Sequence, residues 1–296
     1  LTAGETVQAD TAIPSTSAAS VFSTTLYNGN GQSRDLDTGI DNTDKSLIWF
    51  KNRNYDYPHI LTDTVRGFSR LSANNDQQAH STGIDVTSFN DSGVSLTNAT
   101  GWVNHPSGHE MVAWNFRAAP AFFDVVSYTG DGTGSQDISH NLGTTPGLIM
   151  AKRTDAAGDW WVYHSGLIAN DQLKLNTSDA AGVGSFRFGQ IGVGFDINSS
   201  SFTVGGDDFG PLDLNQTDAT YIAYVFAEDT SGLIKCGNYT GNGQGSSNTT
   251  EINCGFKPQW LMVKSTNVSN EGDNTSWCIF DNQRGYNIGG TFYSNQ

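Results

Sequence analysis

Short apolar segments of two kinds recur along the chain, separated by stretches rich in Gly, Asn, Ser, Thr and Asp. In residues 94–96 and 112–116, the side chains alternate between the two faces, which predicts β-strands with one buried face. Residues 47–51 are apolar up to a final lysine, which predicts a strand covered on both faces. The frequent turn residues leave room for little helix, so the pattern predicts an all-β chain.

The segments follow one another in the same order three times. Each copy opens with Tyr-x-Gly-(Asn/Asp)-Gly, and an apolar run ends in lysine 24, 24 and 25 residues after the tyrosine. The tyrosines are Tyr27, Tyr128 and Tyr239, and the lysines are Lys51, Lys152 and Lys264. The copies start 101 and 111 residues apart, which is about the length of one domain. We therefore expect one β domain used repeatedly.

This organisation predicts tandem antiparallel β-sandwich domains of jelly-roll or lectin-like kind. We expect an extended arm or linker at 1–22, complete repeats at 23–122 and 123–229, and a partial third repeat at 230–296. A closing strand with the pattern (Val/Ile)-Ala-(Trp/Tyr) ends the first two repeats and gives Trp114 and Tyr224 equivalent interior positions. The third repeat shows no such strand, so we expect further chain or a neighbouring subunit to complete it.

The chain is acidic, with 15 basic and 30 acidic side chains and a net charge of −15 at pH 7. Such a surface repels nucleic-acid phosphates and anionic lipids, so we expect no nucleic-acid partner. No apolar run reaches the roughly 18 residues that a membrane-spanning helix needs, so we expect no membrane insertion. The acidity suits solubility and cation binding equally well.

One acidic hairpin is a candidate calcium site. Asp131 and Asp137, with Ser135 between them, place oxygen atoms two or more residues apart in a Gly-rich loop. The same residues are typical of tight hairpin turns. Both interpretations stay open, and we expect no other cofactor or metal.

Three cysteines, Cys236, Cys254 and Cys278, lie in the third copy. They align with apolar strand positions of the second copy, which is typical of buried thiols. A disulfide between Cys236 and Cys254 across the hairpin is the alternative.

Two turns share the sequence Asp-x-x-Arg-Gly, with Asp63 and Arg66 in the first copy and Asp281 and Arg284 in the third. An arginine that binds its own aspartate and nearby carbonyl groups stiffens a turn. We therefore interpret both pairs as structural.

Trp160 is the candidate ligand-binding aromatic residue. Aligning its neighbour Trp161 with Trp277 points Trp161 inward, so strand alternation predicts that Trp160 points outward. An exposed indole can stack on sugar rings or lie in a subunit interface.

Three motifs recur in a fixed order: Tyr-x-Gly-(Asn/Asp)-Gly, the Asp-x-x-Arg-Gly turn and the (Val/Ile)-Ala-(Trp/Tyr) closing strand. This ordered set resembles a repeat domain of unknown function in large virion proteins of marine tailed bacteriophages, which are described as tail-fibre-like. Residues 123–130 and 236–241 are similar to the junctions between that family's repeats, and the similarity covers about residues 22–296. The resemblance implies a β-rich structural component of the virion that carries no catalytic residues. It also implies a homo-oligomer, with a trimer favoured.

We therefore expect a non-enzymatic virion structural protein, a tail-fibre or surface-decoration component located on the virion surface and hence extracellular. Its expected partners are further copies of itself, other virion proteins and a host surface glycan. A carbohydrate-binding, lectin-like module is the main alternative. A polysaccharide depolymerase and a subunit of an extracellular filament are the others.

Overall fold

The structure, a computed structural model, shows a nearly all-β chain. It describes residues 16–81, 85–97, 102–106, 108–167, 171–183, 187–189, 196–205, 213–242, 250–267, 275–285 and 292–293. Within these ranges the one helix, α1 (Ala18–Val21), has four residues. No helix in the described part of the chain has the length and apolarity needed to cross a membrane. Several antiparallel sheets confirm the predicted all-β sandwich class.

The first repeat has two sheets. Its strands are β1 (Phe22–Asn28), β2 (Arg34–Asp37), β3 (Ser46–Asn52), β4 (Ile60–Asp63), β5 (Gly67–Ser72), β6 (Val86–Phe89), β7 (Gly93–Leu96) and β8 (Glu110–Arg117). The large sheet has the order β1-β8-β3-β4-β5, and the small sheet has the order β2-β7-β6. The closing strand β8 therefore lies between β1 and β3.

The second repeat has the same order of central strands, with sheets of six and two strands in place of five and three. Its strands are β9 (Phe123–Thr129), β10 (Ser135–Ser139), β11 (Pro146–Arg153), β12 (Trp160–His164), β13 (Asp171–Lys174), β14 (Gly182–Val183), β15 (Ser201–Gly205) and β16 (Thr220–Ala227). The large sheet has the order β14-β13-β12-β11-β16-β9, and β10 pairs with β15. The closing strand β16 lies between β9 and β11, as β8 lies between β1 and β3.

The third repeat keeps only part of this arrangement within the described residues. Its strands are β17 (Asp229–Thr230), β18 (Ile234–Lys235), β19 (Trp260–Val263), β20 (Cys278–Asp281) and β21 (Phe292–Tyr293). β17 pairs with β18, and a separate sheet has the order β19-β20-β21. These three strands correspond to β3, β4 and β5 of the first repeat.

The central strands β3 and β11 are covered on both faces. Ile48 and Ile149 contribute to apolar clusters within their own repeats, against the small sheets. Trp49 and Met150 lie on the opposite face and contribute to a third cluster. Every residue of β3 is buried, which confirms the prediction from its apolar run.

The third cluster is shared by all three repeats. Its largest members from repeats 1 and 2 are Trp114, Trp160 and Tyr224, and repeat 3 adds Trp277 and Ile279. The repeats therefore surround one common core, and each of the first two adds a second core of its own under its small sheet. The domain limits drawn from the sequence stay a prediction.

Trp114 and Tyr224 occupy the equivalent interior positions that the sequence predicts. Trp114 pairs with Trp49 across the β3/β8 ladder, and Tyr224 pairs with Met150 across the β11/β16 ladder. Both rings are fully buried in the shared core. The two closing strands therefore have the same register.

Only residues 16–22 of the segment predicted as an extended arm, 1–22, are described. Residues 1–15 lie outside the described residues, but Ala18–Val21 is helical. Val21 and Phe22 are buried in the shared core, because the core needs apolar side chains where repeat 1 begins.

The two glycines of Tyr-x-Gly-(Asn/Asp)-Gly have different physical roles. A Cβ on Gly29 or Gly130 would lie 2.1 or 2.2 Å from the carbonyl oxygen of His105 or Gln216, so the first glycine permits a close backbone approach. The second glycine has a positive φ, 75° at Gly132, which the turn from the large sheet to the small sheet requires. In both repeats this approach fixes the turn between the first two strands against the loop that precedes the closing strand.

Candidate functional site

Both Asp-x-x-Arg turns are closed by the aspartate. Asp63 Oδ1 accepts hydrogen bonds from the backbone N–H groups of Val65 and Arg66, and Arg66 Nε lies 2.6 Å from Asp63 Oδ2. Asp281 and Arg284 repeat this geometry, with Nε 2.5 Å from Oδ2. Both aspartate side chains are fully buried, so each pair is an ion pair removed from water.

Each turn also contacts the closing strand of another repeat, which the sequence did not predict. The Tyr224 hydroxyl donates to Asp63 Oδ2 at 2.8 Å, and Arg66 Nη2 donates to the Tyr224 oxygen at 3.1 Å. Burial raises the pKa of Tyr224 well above 10, and the Asp63 carboxylate adds to this effect, so the hydroxyl stays a donor. The turn of repeat 1 is thereby fixed to repeat 2.

The equivalent turn fixes repeat 3 to repeat 1. Trp114 Nε1 donates to Asp281 Oδ2 at 3.0 Å, and the Arg284 guanidinium lies 5.3 Å from the centre of the Trp114 ring. A charged acceptor and a cation over the ring both favour this buried contact. The aspartate of one repeat thus binds the closing-strand aromatic of the next in cyclic order.

A second set of contacts joins consecutive repeats in the same way at each junction. Trp160 Nε1 donates to Ser72 O at 2.8 Å, and Trp277 Nε1 donates to Lys174 O at 2.9 Å. Ser72 pairs with Ile60 in β5/β4, and Lys174 pairs with Trp161 in β13/β12. The two acceptors are therefore equivalent, and each indole binds the preceding repeat.

The lysines that end the apolar runs of repeats 2 and 3 also bind the preceding repeat. Lys152 Nζ donates to Asp76 O at 2.9 Å and to Gly158 O at 2.6 Å. Lys264 Nζ donates to Ser178 O at 3.1 Å and to Thr275 O at 2.5 Å. In each case one acceptor belongs to the preceding repeat and one to the lysine's own repeat. These side chains hold repeats together.

Lys152 gives the stability a measurable pH dependence. Burial lowers the pKa of Lys152 from 10.5 to about 8. Between these values the unfolded chain binds a proton that the folded chain has lost, so stability increases with pH. Relative to Lys152→Met, wild type should gain up to about 3 kcal/mol in free energy of unfolding from pH 8 to 10.5, because each pKa unit corresponds to about 1.4 kcal/mol. Urea denaturation at several pH values measures this difference.

The exposed Lys257 provides the matched control for that measurement. Lys257→Met removes the same charge without removing a buried ammonium group. A difference between wild type and Lys152→Met that is flat or falls with pH would contradict the burial argument.

The prediction that Trp160 points outward is wrong. Trp160 has 0% relative exposure and lies in the shared core, where its ring stacks near Tyr224. Trp161 is partly buried on the opposite face, with the Arg187 guanidinium 4.1 Å from its ring centre. The cause is the alignment, because Trp160, and not Trp161, is equivalent to Trp277. A fully buried ring offers no face to a sugar.

The registers establish that equivalence. Ala151, which precedes Lys152, pairs with Trp161, and Val263, which precedes Lys264, pairs with Cys278. Trp161 therefore corresponds to Cys278, which places Trp160 one residue earlier at the position of Trp277. A shift of one residue exchanges the two faces of a strand.

The calcium candidates are occupied by turn hydrogen bonds. Asp131 Oδ1 accepts from the backbone and hydroxyl of Thr133 and from Asn215 Nδ2. Burial raises the pKa of Asp131, but these hydrogen bonds outweigh it and lower the pKa. Asp137 Oδ1 accepts from Thr203 Oγ1 on the neighbouring strand. In the described ranges no group of three or more His, Cys, Asp or Glu residues could hold a metal ion.

The three cysteines are free thiols, and each is partly buried. Cys236 lies against Gly147 of repeat 2, where a glycine Cβ would approach its Sγ to 2.8 Å. Burial raises the pKa of the Cys236 thiol to about 12, and Glu228 and Asp229 add to this effect. All three are free, and the structure contains no bridge between Cys236 and Cys254. The predicted buried strand positions are not confirmed, because no cysteine is fully buried and only Cys278 lies in a strand.

An apolar groove lies beside the third repeat. Phe116, Phe226, Trp260 and Met262 contribute aromatic and aliphatic surface from all three repeats, and residues 234–239 form one wall. The cavity volume is about 420 Å³. Concave apolar surface of this kind is typical of binding sites. The groove runs along β19. We take this groove as the candidate functional site.

The chain belongs to the family described as "Domain of unknown function (DUF7483)", which matches residues 17–293. One match spans all three repeats, which agrees with a core that they share. The comparison with curated proteins found no match, and neither did the comparison with solved structures.

Proposed function

We propose that this member of the DUF7483 family is a structural component of a virion, either a tail fibre or a surface decoration. The proposal depends mainly on one observation: buried charged groups of one repeat bind partners in another repeat. Asp63, Lys152 and Asp281 all bind partners in other repeats. An enzyme would need such groups to meet a substrate, whereas a rigid appendage needs them to fix its modules.

The surface chemistry supports an exposed role in an assembly. A net charge of −15 keeps the protein soluble and repels non-specific contacts with nucleic acid. In a homo-oligomer, for which we favour a trimer, weak contacts with a host glycan would be multiplied by copy number. Other virion proteins would hold the oligomer in the particle, on its outer surface.

The carbohydrate-binding alternative loses its main argument. It depended on an outward Trp160, and the ring is fully buried. Tyr55 has 51% relative exposure and stacks on His109 with ring centres 4.1 Å apart, so an exposed aromatic surface exists elsewhere in repeat 1. His109 in turn stacks on His105, with ring centres 4.0 Å apart. This cluster lies within one repeat, and it supports glycan contact less strongly than the contacts between repeats support a mechanical role.

Locating the protein tests the proposal. Antibodies against the recombinant chain should detect it in gradient-purified virus particles and should label the tail or the shell surface in immunogold electron microscopy. Antibodies absorbed with the recombinant chain are the control. Signal confined to cell-surface filaments, or to fractions free of particles, would contradict the virion role.

A further inference from the structure

In repeats 1 and 2 the closing strand fills a defined position. β8 is paired with β1 on one edge and β3 on the other, and β16 is paired with β9 and β11. Its inward side chains enter the shared core, and Trp114 and Tyr224 bind aspartates there. The position therefore has two flanking strands, an apolar floor and a polar contact for one aromatic ring.

The third repeat has both flanking segments of that position. β19 corresponds to β3 and β11, and residues 234–240 correspond to β9, because Tyr239 matches Tyr128 in the repeated motif. β19 and residues 234–239 line the same groove. Among the described residues, no strand pairs with the second edge of β19.

Two further observations mark the groove as the position of a strand. The buried Trp260 Nε1 has no hydrogen-bond partner within the described part of the chain. A Cβ on Gly241 would meet no atom within 4 Å, in contrast to the equivalent Gly29 and Gly130. Both are expected where a closing strand and its preceding loop are absent from the described residues.

We propose that this groove binds a β-strand donated by a partner polypeptide, which pairs antiparallel with β19 and carries the closing-strand pattern. This is β-strand addition, in which the sheet edge supplies main-chain hydrogen bonds and the groove selects alternate side chains.

The two closing strands define the chemistry of the donated strand. Val112 and Ile222 share the first inward position, and an aromatic ring and then phenylalanine follow at alternate residues, with alanine between the first two. The aromatic residue should lie opposite Met262, as Tyr224 lies opposite Met150. The pattern is therefore (Val/Ile)-Ala-(Trp/Tyr)-x-Phe.

A second copy of this chain is a poorer donor. The segments that carry the pattern, β8 and β16, are already paired on both edges in the described structure. Donating either strand would open the shared core of the donor, whereas a separate polypeptide with an unpaired strand has no such cost.

A labelled peptide with the sequence of Thr220–Ala227, flanked by charged residues for solubility, tests the proposal on the intact chain. Fluorescence anisotropy should show saturable binding about tenfold or more tighter than for the same peptide with aspartate at the Tyr224 position, because burying one large side chain contributes about 1.5–3 kcal/mol. Bound peptide should slow amide exchange of residues 261–263, measured by mass spectrometry. A scrambled peptide of equal composition is the second control.

Three outcomes would overturn the proposal. Equal binding of the three peptides would mean that the groove does not read the pattern. Slow exchange of residues 261–263 without peptide, independent of protein concentration, would mean that the chain fills its own groove. Slow exchange that develops with concentration, together with dimers in light scattering, would assign the groove to a second copy.

Discussion

Asp63→Ala should lower the free energy of unfolding by about 3–5 kcal/mol, the usual cost of removing one member of a buried ion pair. The variant leaves the Arg66 guanidinium buried without its carboxylate and removes the acceptor of the Tyr224 hydroxyl. It therefore loosens the turn of repeat 1 and its junction with repeat 2 together. Urea denaturation followed by tryptophan fluorescence measures the change.

The chain offers a matched surface pair as the control. Glu110 lies 3.4 Å from Arg53, and the Glu110 side chain is 50% exposed. Glu110→Ala should cost no more than about 1 kcal/mol, because exposed ion pairs contribute little. Asp63→Ala/Arg66→Met should recover part of the loss, since it removes the unpaired charge. Equal small effects of Asp63→Ala and Glu110→Ala would refute the role given to the turn.

Trp160→Ala should lower the free energy of unfolding by about 3–5 kcal/mol, as expected for deleting a large core aromatic. The change leaves a cavity beside Tyr224 and leaves the Ser72 carbonyl without its indole donor. The adjacent Trp161→Ala is the control, because that ring is only partly buried and its cation contacts contribute about 0.5–1 kcal/mol each. Thermal and urea denaturation of both variants compare them directly.

We expect a larger loss of stability for Trp160→Ala than for Trp161→Ala, and this order depends only on the register of β12 relative to β11. A larger loss for Trp161→Ala than for Trp160→Ala would mean that β12 is shifted by one residue relative to β11. In that case the equivalence of Trp160 with Trp277 would fail, and Trp160 would return as an exposed, ligand-facing ring.

Strict periodicity made part of the fold predictable from the sequence. Val112, Trp114 and Phe116 alternate cleanly, so the strand and its inward face were predicted correctly. The prediction of a single buried face was wrong, because Ala113 and Asn115 on the opposite face are buried as well. The unbroken run before Lys51 correctly indicated a strand covered on both faces. Two adjacent tryptophans carry no such alternation, and a one-residue error in alignment was enough to exchange Trp160 and Trp161.

The shared core lay beyond the reach of local pattern. An apolar run shows that both faces of a strand are covered, but it does not show which part of the chain covers the second face. The contact between Tyr224 and Asp63 joins residues 161 apart in sequence. The Asp-x-x-Arg motif revealed its local turn, whereas its partner ring in the next repeat required the three-dimensional arrangement.

The candidate site was recognisable only in outline. The closing pattern of β8 and β16 has no counterpart among the residues of the third repeat, 230–296. The sequence could not show that Phe116 and Phe226 of the other repeats would form part of the groove. That surface arises from three repeats meeting around one core.

The hydrogen bond between Trp114 and Asp281 closes repeat 3 onto repeat 1, and it tests the common core most directly. A double-mutant cycle with Trp114→Phe and Asp281→Asn, measured by urea denaturation, gives the coupling free energy between the two side chains. We expect a coupling of about 0.5–3 kcal/mol, as found for residues in contact. A coupling indistinguishable from zero would show that repeats 1 and 3 do not meet, and would contradict the shared core.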